Sequence, residues 1–248
     1  MTAVEFYDQL APDYHLIFEN WDASIVRQAV ALDGLIRDHW GGVQRVLDAA
    51  CGIGTQSIGL AQLGYRVTAS DISAAEVDRA RREASLRGVS LDVSQADMRK
   101  LAEQHGSGYD LVIACDNSVP HLLTDADILE TFRQFRACLR PGGGCLITVR
   151  DYDREVKSGT QVKPYDMRLI DGVRYLVFQV WDFVGEHYTL SLYVVEDRDG
   201  QCTTRVMRTQ YYAVGTDKLM ALMREAGFKA VQRVDNRFYQ PVILGTAG

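Results

Sequence analysis

The 248-residue chain has no surplus of positive charge. Its 27 lysines and arginines face 33 acids, and a net charge of −6 leaves no electrostatic footprint for nucleic acid or an anionic membrane. It also lacks paired cysteines. Cys51, Cys115, Cys138, Cys145 and Cys202 are odd in number and share no Cys-x-x-Cys spacing. That argues against a disulfide framework or zinc site and for a reducing, cytoplasmic setting. His15, His39, His105, His121 and His187 are scattered without metal-ligand pairing, so no metal is expected. No apolar run is long enough to span a bilayer. The opening Met-Thr-Ala-Val-Glu-Phe-Tyr-Asp has neither the basic start nor the apolar core of a signal peptide. Repeats and low-complexity segments are absent. What is present is a globular composition, 47% hydrophobic and 24% charged, with an ample core for one domain. Homo-oligomerisation stays open.

The chain is organised around Arg45-Val46-Leu47-Asp48-Ala49-Ala50-Cys51-Gly52-Ile53-Gly54-Thr55. A short apolar run ending in an acid reads as a buried parallel strand. Gly52 and Gly54 let the backbone turn tightly against a ligand, and a helix follows over Gln56 to Leu63. Strand, glycine turn and helix open a nucleotide-type α/β unit. The dinucleotide fingerprint asks for a third glycine where this chain has Ser57. Asp48 at the strand tip repels a pyrophosphate but suits an ammonium group, such as that of S-adenosylmethionine. Tyr65 to Asp71 reads as a second strand ending in an acid, where an acceptor for ribose hydroxyls belongs, with Ile72 beside it. Leu91 to Ala96 forms a third strand delivering Asp97 and Met98. In that register Asp97 can accept the exocyclic amine of adenine; standing alone it would be a turn or cap residue.

Residues 1–40 read as helical, with aromatics at Phe6, Tyr7, Tyr14, Phe18 and Trp21 that either pack on the sheet or form a lid over the cofactor. Asp110 to Cys115 is a central strand, followed by the polar loop Asp116-Asn117-Ser118-Val119-Pro120-His121-Leu122 at the edge where sites of such folds sit. A helix from Asp125 to Leu139 ends in Pro141-Gly142-Gly143-Gly144, and Cys145 to Val149 delivers Arg150-Asp151-Tyr152-Asp153 to the same edge. The alternation then changes. Residues 173–184, 187–196 and 202–212 read as three antiparallel strands covering the site. A helix over Thr216 to Ala226 and a hairpin of Lys229 to Val234 with Tyr239 to Thr246 complete the main sheet. The expected organisation is one domain over 1–248: a helical lid (1–40), a cofactor-binding core (41–153), an antiparallel insertion (154–213), and a closing helix and hairpin (214–248).

From about Tyr7 to Asp153 the chain resembles class I S-adenosylmethionine-dependent methyltransferases, and among them the glycine and glycine/sarcosine N-methyltransferases. Val46 to Gly54, Asn117 to Leu122 and Arg150 to Asp153 carry the resemblance, with a weaker echo at Gln210-Tyr211-Tyr212. It implies a Rossmann-like seven-stranded sheet with its last strand antiparallel and the cofactor across the strand tips. It places Asp48, Ala50, Gly52, Gly54, Asp71, Ile72, Asp97 and Met98 at the cofactor. Cys115 (through its backbone) and His121 border the methionine portion, Tyr7 and Tyr14 are lid contacts, and Arg27 is a looser partner for the cofactor carboxylate. Asn117 and Arg150 face the acceptor. Asp116 stands where the family usually has glycine, Asp151 where it has asparagine, and Met98 where it has tryptophan. Both acids add negative charge beside the acceptor pocket and put glycine in doubt as the substrate.

Methyl transfer from a sulfonium needs alignment and charge placement rather than a metal or a covalent nucleophile. Asp116 raises the pKa of an aliphatic amine, but it can accept a proton from the N–H of a flat heterocycle. Arg150 suits a carboxylate or a ring carbonyl, unless Asp116, Asp151 or Asp153 claims it. Trp181 and Tyr212 either line the pocket or are core, as do Tyr188 and Tyr193. The expected activity is methyl transfer to a nitrogen of a small metabolite, either a glycine-like amine or a planar heterocycle of secondary metabolism. Asp116, Arg150 and Asn117 are the expected catalytic set, and Tyr7, Asn117, Arg150, Trp181 and Tyr212 the substrate set. An O-methyltransferase and a non-catalytic S-adenosylmethionine-binding protein are the alternatives. A dehydrogenase is disfavoured by Ser57 and Asp48.

Overall fold

A computed structural model describes residues 2–248; Met1, the first residue of the expected lid, lies outside them. The N-terminal segment supplies helices α1 (Ala3–Leu10) and α2 (Trp21–His39), capped by Thr2 and Asn20 side chains that accept from Glu5 N and Ala23 N. Strands β1 (Arg45–Asp48), β2 (Arg66–Asp71) and β3 (Asp92–Gln95) alternate with helices α3 (Thr55–Gln62) and α4 (Ala74–Leu86). A short helix α5 (Leu101–His105), β4 (Tyr109–Ala114), α6 (Asp125–Cys138) and β5 (Leu139–Thr148) follow. Helix α7 (Thr216–Glu225) and strands β10 (Phe228–Val234) and β11 (Val242–Ala247) end the chain.

The main sheet has seven strands in the order β10-β11-β5-β4-β1-β2-β3. All are parallel except β11, which runs antiparallel to both β5 and β10. This is the sheet that the resemblance to class I methyltransferases implies. Its central strands are buried on both faces, as parallel strands under helices must be. Phe132, Phe135, Leu219 and Met223 cover one face; Leu32, Leu35, Leu60 and Ala80 cover the other. The tips of β1, β2, β3, β4 and β5 therefore open on one edge, and every polar loop singled out in the sequence lies there.

Strands β6 (Thr160–Ile170), β7 (Val173–Val184), β8 (His187–Arg198) and β9 (Gln201–Tyr212) form a separate antiparallel sheet. It has four strands, not three. β6 escapes the sequence pattern because Pro164 and a register shift between Pro164 and Asp166 break its alternation. The inner face of this sheet packs Val177, Trp181, Tyr188 and Leu190 against Phe6, Leu10 and Leu16. The N-terminal segment is thus held between the second sheet and the open edge of the first. β5 also starts earlier than its apolar run, because Leu139 pairs with Tyr109 ahead of the glycines.

Candidate active site

Two hollows meet at the open edge. The smaller, about 410 Å³, lies over the tips of β1 to β3 and is bordered by Ala50, Gly52, Asp71, Ile72, Met98 and His121. The larger, about 890 Å³, lies between the N-terminal segment, the second sheet and the β10–β11 loop; Asp116, Arg150, Tyr165, Trp181, Tyr211 and Tyr239 border it. Tyr7 and Tyr14 border both. Each hollow falls within the size range of small-molecule sites.

In the smaller cleft, Asp71 is fixed by its neighbours. Its Oδ2 accepts from Gly52 N at 2.9 Å and its Oδ1 from Ser73 N at 3.0 Å. Burial raises its pKa, and these backbone donors pull it back down. The lone pairs left over are available at the cleft wall. Gly52, at φ 52°, has Tyr14 so close that an added Cβ would lie 3.3 Å from the ring. The turn is shaped for bare backbone. Asp97 accepts from Arg99 N at 2.9 Å and pairs with the Arg99 guanidinium at 2.6 Å, so its carboxylate is already engaged. Arg99 also reaches Asp127 at 3.4 Å. With Asp71, Asp97 and Asp127 against one arginine, the wall is anionic and repels a pyrophosphate, but it suits a sulfonium-bearing nucleoside.

Four residues expected at this cleft are directed elsewhere. Asp48 is buried, and Ser57 Oγ donates to its Oδ2 at 2.6 Å while Ala50 N donates to Oδ1 at 3.3 Å. Burial pushes its pKa up to about 7. Asp48 therefore braces the turn from below and does not reach a ligand at the wall. Ser57, the missing third glycine, is what holds it. Cys115 is buried, with its carbonyl taken by Ser118 Oγ at 2.7 Å. Gly54 carries the left-handed turn (φ 93°) but packs on Ile58 rather than bordering the cleft. Arg27 is exposed on α2, borders the larger hollow and donates to Ser24 Oγ at 2.9 Å. It is not placed to meet a cofactor carboxylate.

Where the hollows meet, Tyr7 OH lies 2.8 Å from His121 Nε2 and 3.3 Å from Tyr211 OH. Burial first, and the Arg150 charge second, drive the His121 pKa down to about 3. The imidazole is neutral and forms a hydrogen-bonding partner rather than a charge.

The larger hollow holds a cation and an acid that are not paired with each other. Arg150 donates to Tyr188 OH at 3.3 Å and Tyr165 OH at 3.4 Å, and its Cζ lies 4.8 Å from the Trp181 ring centroid. The acids that could neutralise it are taken. Asp151 pairs with Arg233 at 2.5 Å and Arg154 at 3.2 Å, and Asp153 caps α7 by accepting from Thr216 N at 3.0 Å. Asp116 accepts from Gln56 Nε2 at 2.8 Å and from Tyr239 OH. Among the described residues, Arg150 forms no ion pair. Burial raises the Asp116 pKa, offset by these two donors and by Arg150.

Two residues expected at the acceptor belong to the framework. Asn117 is buried; its Nδ2 donates to Tyr152 OH at 2.8 Å and its Oδ1 accepts from Arg150 N at 3.0 Å. Its amide is spent on holding Arg150 in place, so it does not touch an acceptor. Tyr212 turns away, donating to Asp125 at 2.9 Å and stacking on His187. The strand period puts its neighbour Tyr211 on the cavity side, where it is paired across the sheet with Tyr188. Trp181 does border the hollow; Tyr188 is core, stacked on Trp181 at 4.7 Å. Tyr165, Tyr211, Tyr239 and Gln56 were not anticipated. Period-two alternation could have found Tyr211; nothing local marks the others.

Residues 46–143 match a family model described as a methyltransferase domain. The core is a class I methyltransferase domain. The chain is 33% identical over 144 residues to a glycine/sarcosine N-methyltransferase of Parasynechococcus marenigrum (strain WH8102), which covers 58% of this chain and 50% of that relative. It spans about half the length of the curated relatives it matches. Two solved structures share the fold at 18% identity. They are CalS10, an amino pentose methyltransferase of Micromonospora echinaspora (TM-score 0.80; 91% of this chain, 92% of that one), and DesVI of Streptomyces venezuelae (TM-score 0.79; 100% and 99%).

Proposed function

We propose that the protein transfers a methyl group from S-adenosylmethionine to a nitrogen of a small metabolite held in the larger hollow. One observation carries this reading: the two hollows share Tyr7 and Tyr14, and the acceptor side contains a cation without a counter-charge. Asp71 accepts from the ribose hydroxyls, Ile72 and Met98 flank the adenine, and the Ala50–Gly52 backbone and His121 border the methionine end. When bound, the cofactor supplies an electrophilic methyl on a sulfonium.

Arg150 anchors an anionic or carbonyl edge of the acceptor. Its position is set by Asn117 and Tyr152, so little is left to order at the moment of reaction. Asp116 accepts from an acceptor N–H and receives its proton as the nitrogen is methylated. Tyr7, fixed from both sides by His121 and Tyr211, excludes water from the junction and limits the approach to one line. The hollow of about 890 Å³ is far larger than glycine fills, and Trp181, Tyr165 and Tyr239 offer flat walls. A planar nitrogen heterocycle fits this lining better than a glycine-like amine. The free cysteines fit a reducing compartment.

The test is product mass. Incubation with S-adenosylmethionine and a panel of heterocycles, amino acids and phenols is expected to give S-adenosylhomocysteine together with an N-methylated heterocycle. Turnover confined to hydroxyl acceptors would overturn the nitrogen assignment, and cofactor binding without turnover of any panel member would overturn the enzyme assignment.

A further inference from the structure

The outer face of the four-stranded sheet is apolar over β6, β7 and the middle of β8, where a solvated face is ordinarily polar, while β9 turns Thr204, Arg208 and Gln210 to the same side. Alternation along β7 turns Val177, Gln179 and Trp181 inward and Leu176, Phe178 and Val180 outward. β6 adds Val162, Met167 and Leu169, which are 63%, 50% and 67% exposed, and Leu176 is 45% exposed. On the same face Phe178 stacks on Tyr193 of β8 with centroids 4.6 Å apart. Exposed apolar surface of this extent, on a flat regular face, marks an interaction site.

The charges at the two ends of β7 identify the occupant. Arg174 stands four residues before Phe178 and Asp182 four residues after it, and all three lie on the outer face. Arg174 has Asp197 of its own sheet at 3.4 Å. Asp182 accepts from Thr160 Oγ1 at 2.6 Å and has no ion-pair partner among the described residues. We propose that this face joins two copies of the chain, sheet on sheet, about a two-fold axis that crosses the strands at Phe178. That axis lays β7 antiparallel on its counterpart. Arg174 of each copy then meets Asp182 of the other, while Leu176 meets Val180. An axis along the strands would instead set arginine on arginine. The area is adequate. Four strands about 4.8 Å apart, each covered for roughly 30 Å, give a flat footprint of about 600 Å² per copy. The total of about 1,200 Å² reaches the lower edge of stable interfaces before side-chain relief is added.

The inner faces of the same strands border the acceptor hollow through Lys163, Tyr165, Gln179 and Trp181. Pairing therefore stiffens the wall behind that hollow, but the inference does not depend on which acceptor is used.

Sedimentation velocity of the full chain over a range of concentrations provides the test. The expected result is a species of twice the chain mass. Leu176→Glu and, separately, Arg174→Glu should weaken its dissociation constant by at least about tenfold, with far-UV circular dichroism unchanged. Because Arg174 is exposed and supports no core contact, its variant remains informative if Leu176→Glu misfolds. Adding Asp182→Arg to Arg174→Glu should restore the dimer. A monomer at every concentration, a dimer indifferent to both substitutions, or failure of the charge reversal to restore it overturns the proposal. So does a monomer that binds phosphatidylcholine vesicles through this face.

Discussion

Arg150→Met separates holding the fold from holding the acceptor. Methionine keeps most of the length and apolar stem of arginine but removes the charge. In the free protein the substitution gives up two hydrogen bonds at 3.3 and 3.4 Å, which are long for N–H donors. It also gives up a contact with Trp181 at 4.8 Å worth about 0.5–2 kcal/mol. Against that, it removes a partly buried cation with no counter-charge, whose desolvation opposes folding. The two sides nearly cancel. Stability should change by less than about 1 kcal/mol, a melting shift of no more than about 2–4 °C for a chain of this size. The acceptor loses far more. Two charge-assisted bonds at about 1.5–3 kcal/mol each, discounted for shared geometry, give about 3–4 kcal/mol. That predicts a fall in kcat/KM of about 150- to 1,000-fold. Arg150 borders only the larger hollow, so the dissociation constant for S-adenosylmethionine by calorimetry should stay within about twofold. A parallel loss of cofactor affinity would refute the division of roles, and so would full activity with a large drop in melting temperature.

Asp71→Ala removes the carboxylate that ties Gly52 and Ser73 and should weaken S-adenosylmethionine binding by about 1–3 kcal/mol in calorimetry; unchanged affinity contradicts the ribose assignment. Asn117→Ala leaves the Arg150 amide without its acceptor and the Tyr152 hydroxyl with Tyr188 alone and should lower stability in urea by about 1–3 kcal/mol; a stable variant that loses only activity would return Asn117 to the acceptor. For Asp48 the folded pKa of about 7 lies above the ordinary 3.8. Between those values the folded state keeps a proton that the unfolded chain has released. Stability therefore falls as pH rises through that window, by up to about 4 kcal/mol, and levels off above it. Asp48→Asn preserves both hydrogen bonds, with the amide donating to Ser57 Oγ. It should raise the melting temperature at pH 8 and leave it unchanged at pH 4; a destabilised variant at pH 8 would show that the carboxylate is needed ionised.

The main sheet was legible because its signals are local: an apolar run, an acid at its end, a glycine turn, and a helix with a 3.6 period. The strand tips carry Asp71, Ile72, Ala50, Gly52 and Met98 to one cleft for the same reason. The failures arose where the deciding contact is distant in sequence or where one residue flips the outcome. Asp48 has the right place and the wrong direction, since Ser57, nine residues on, turns it inward. Tyr212 and Tyr211 are adjacent, and only pairing across the sheet with Tyr188 fixes which of them faces the hollow. β6 was missed because a proline and a bulge hide its period.

The acids that seemed to make the acceptor pocket negative show how far such contacts reach. In the sequence Asp151 counts as added charge, but Arg233, from β10 more than eighty residues away, neutralises it, together with Arg154. The same pairing keeps Asp151 off Arg150, while Asp153 is drawn to the start of α7. The closing hairpin and helix thus leave Arg150 unpaired by occupying its natural partners. Arg233→Ala should accordingly act at the acceptor site without touching it. Held then only by the exposed Arg154, Asp151 can turn to Arg150 and compete with the acceptor, raising KM more than it lowers kcat, and Arg233→Lys should restore much of the loss. If Arg233→Ala instead lowers kcat alone, or alters neither constant, the unpaired state of Arg150 has another cause.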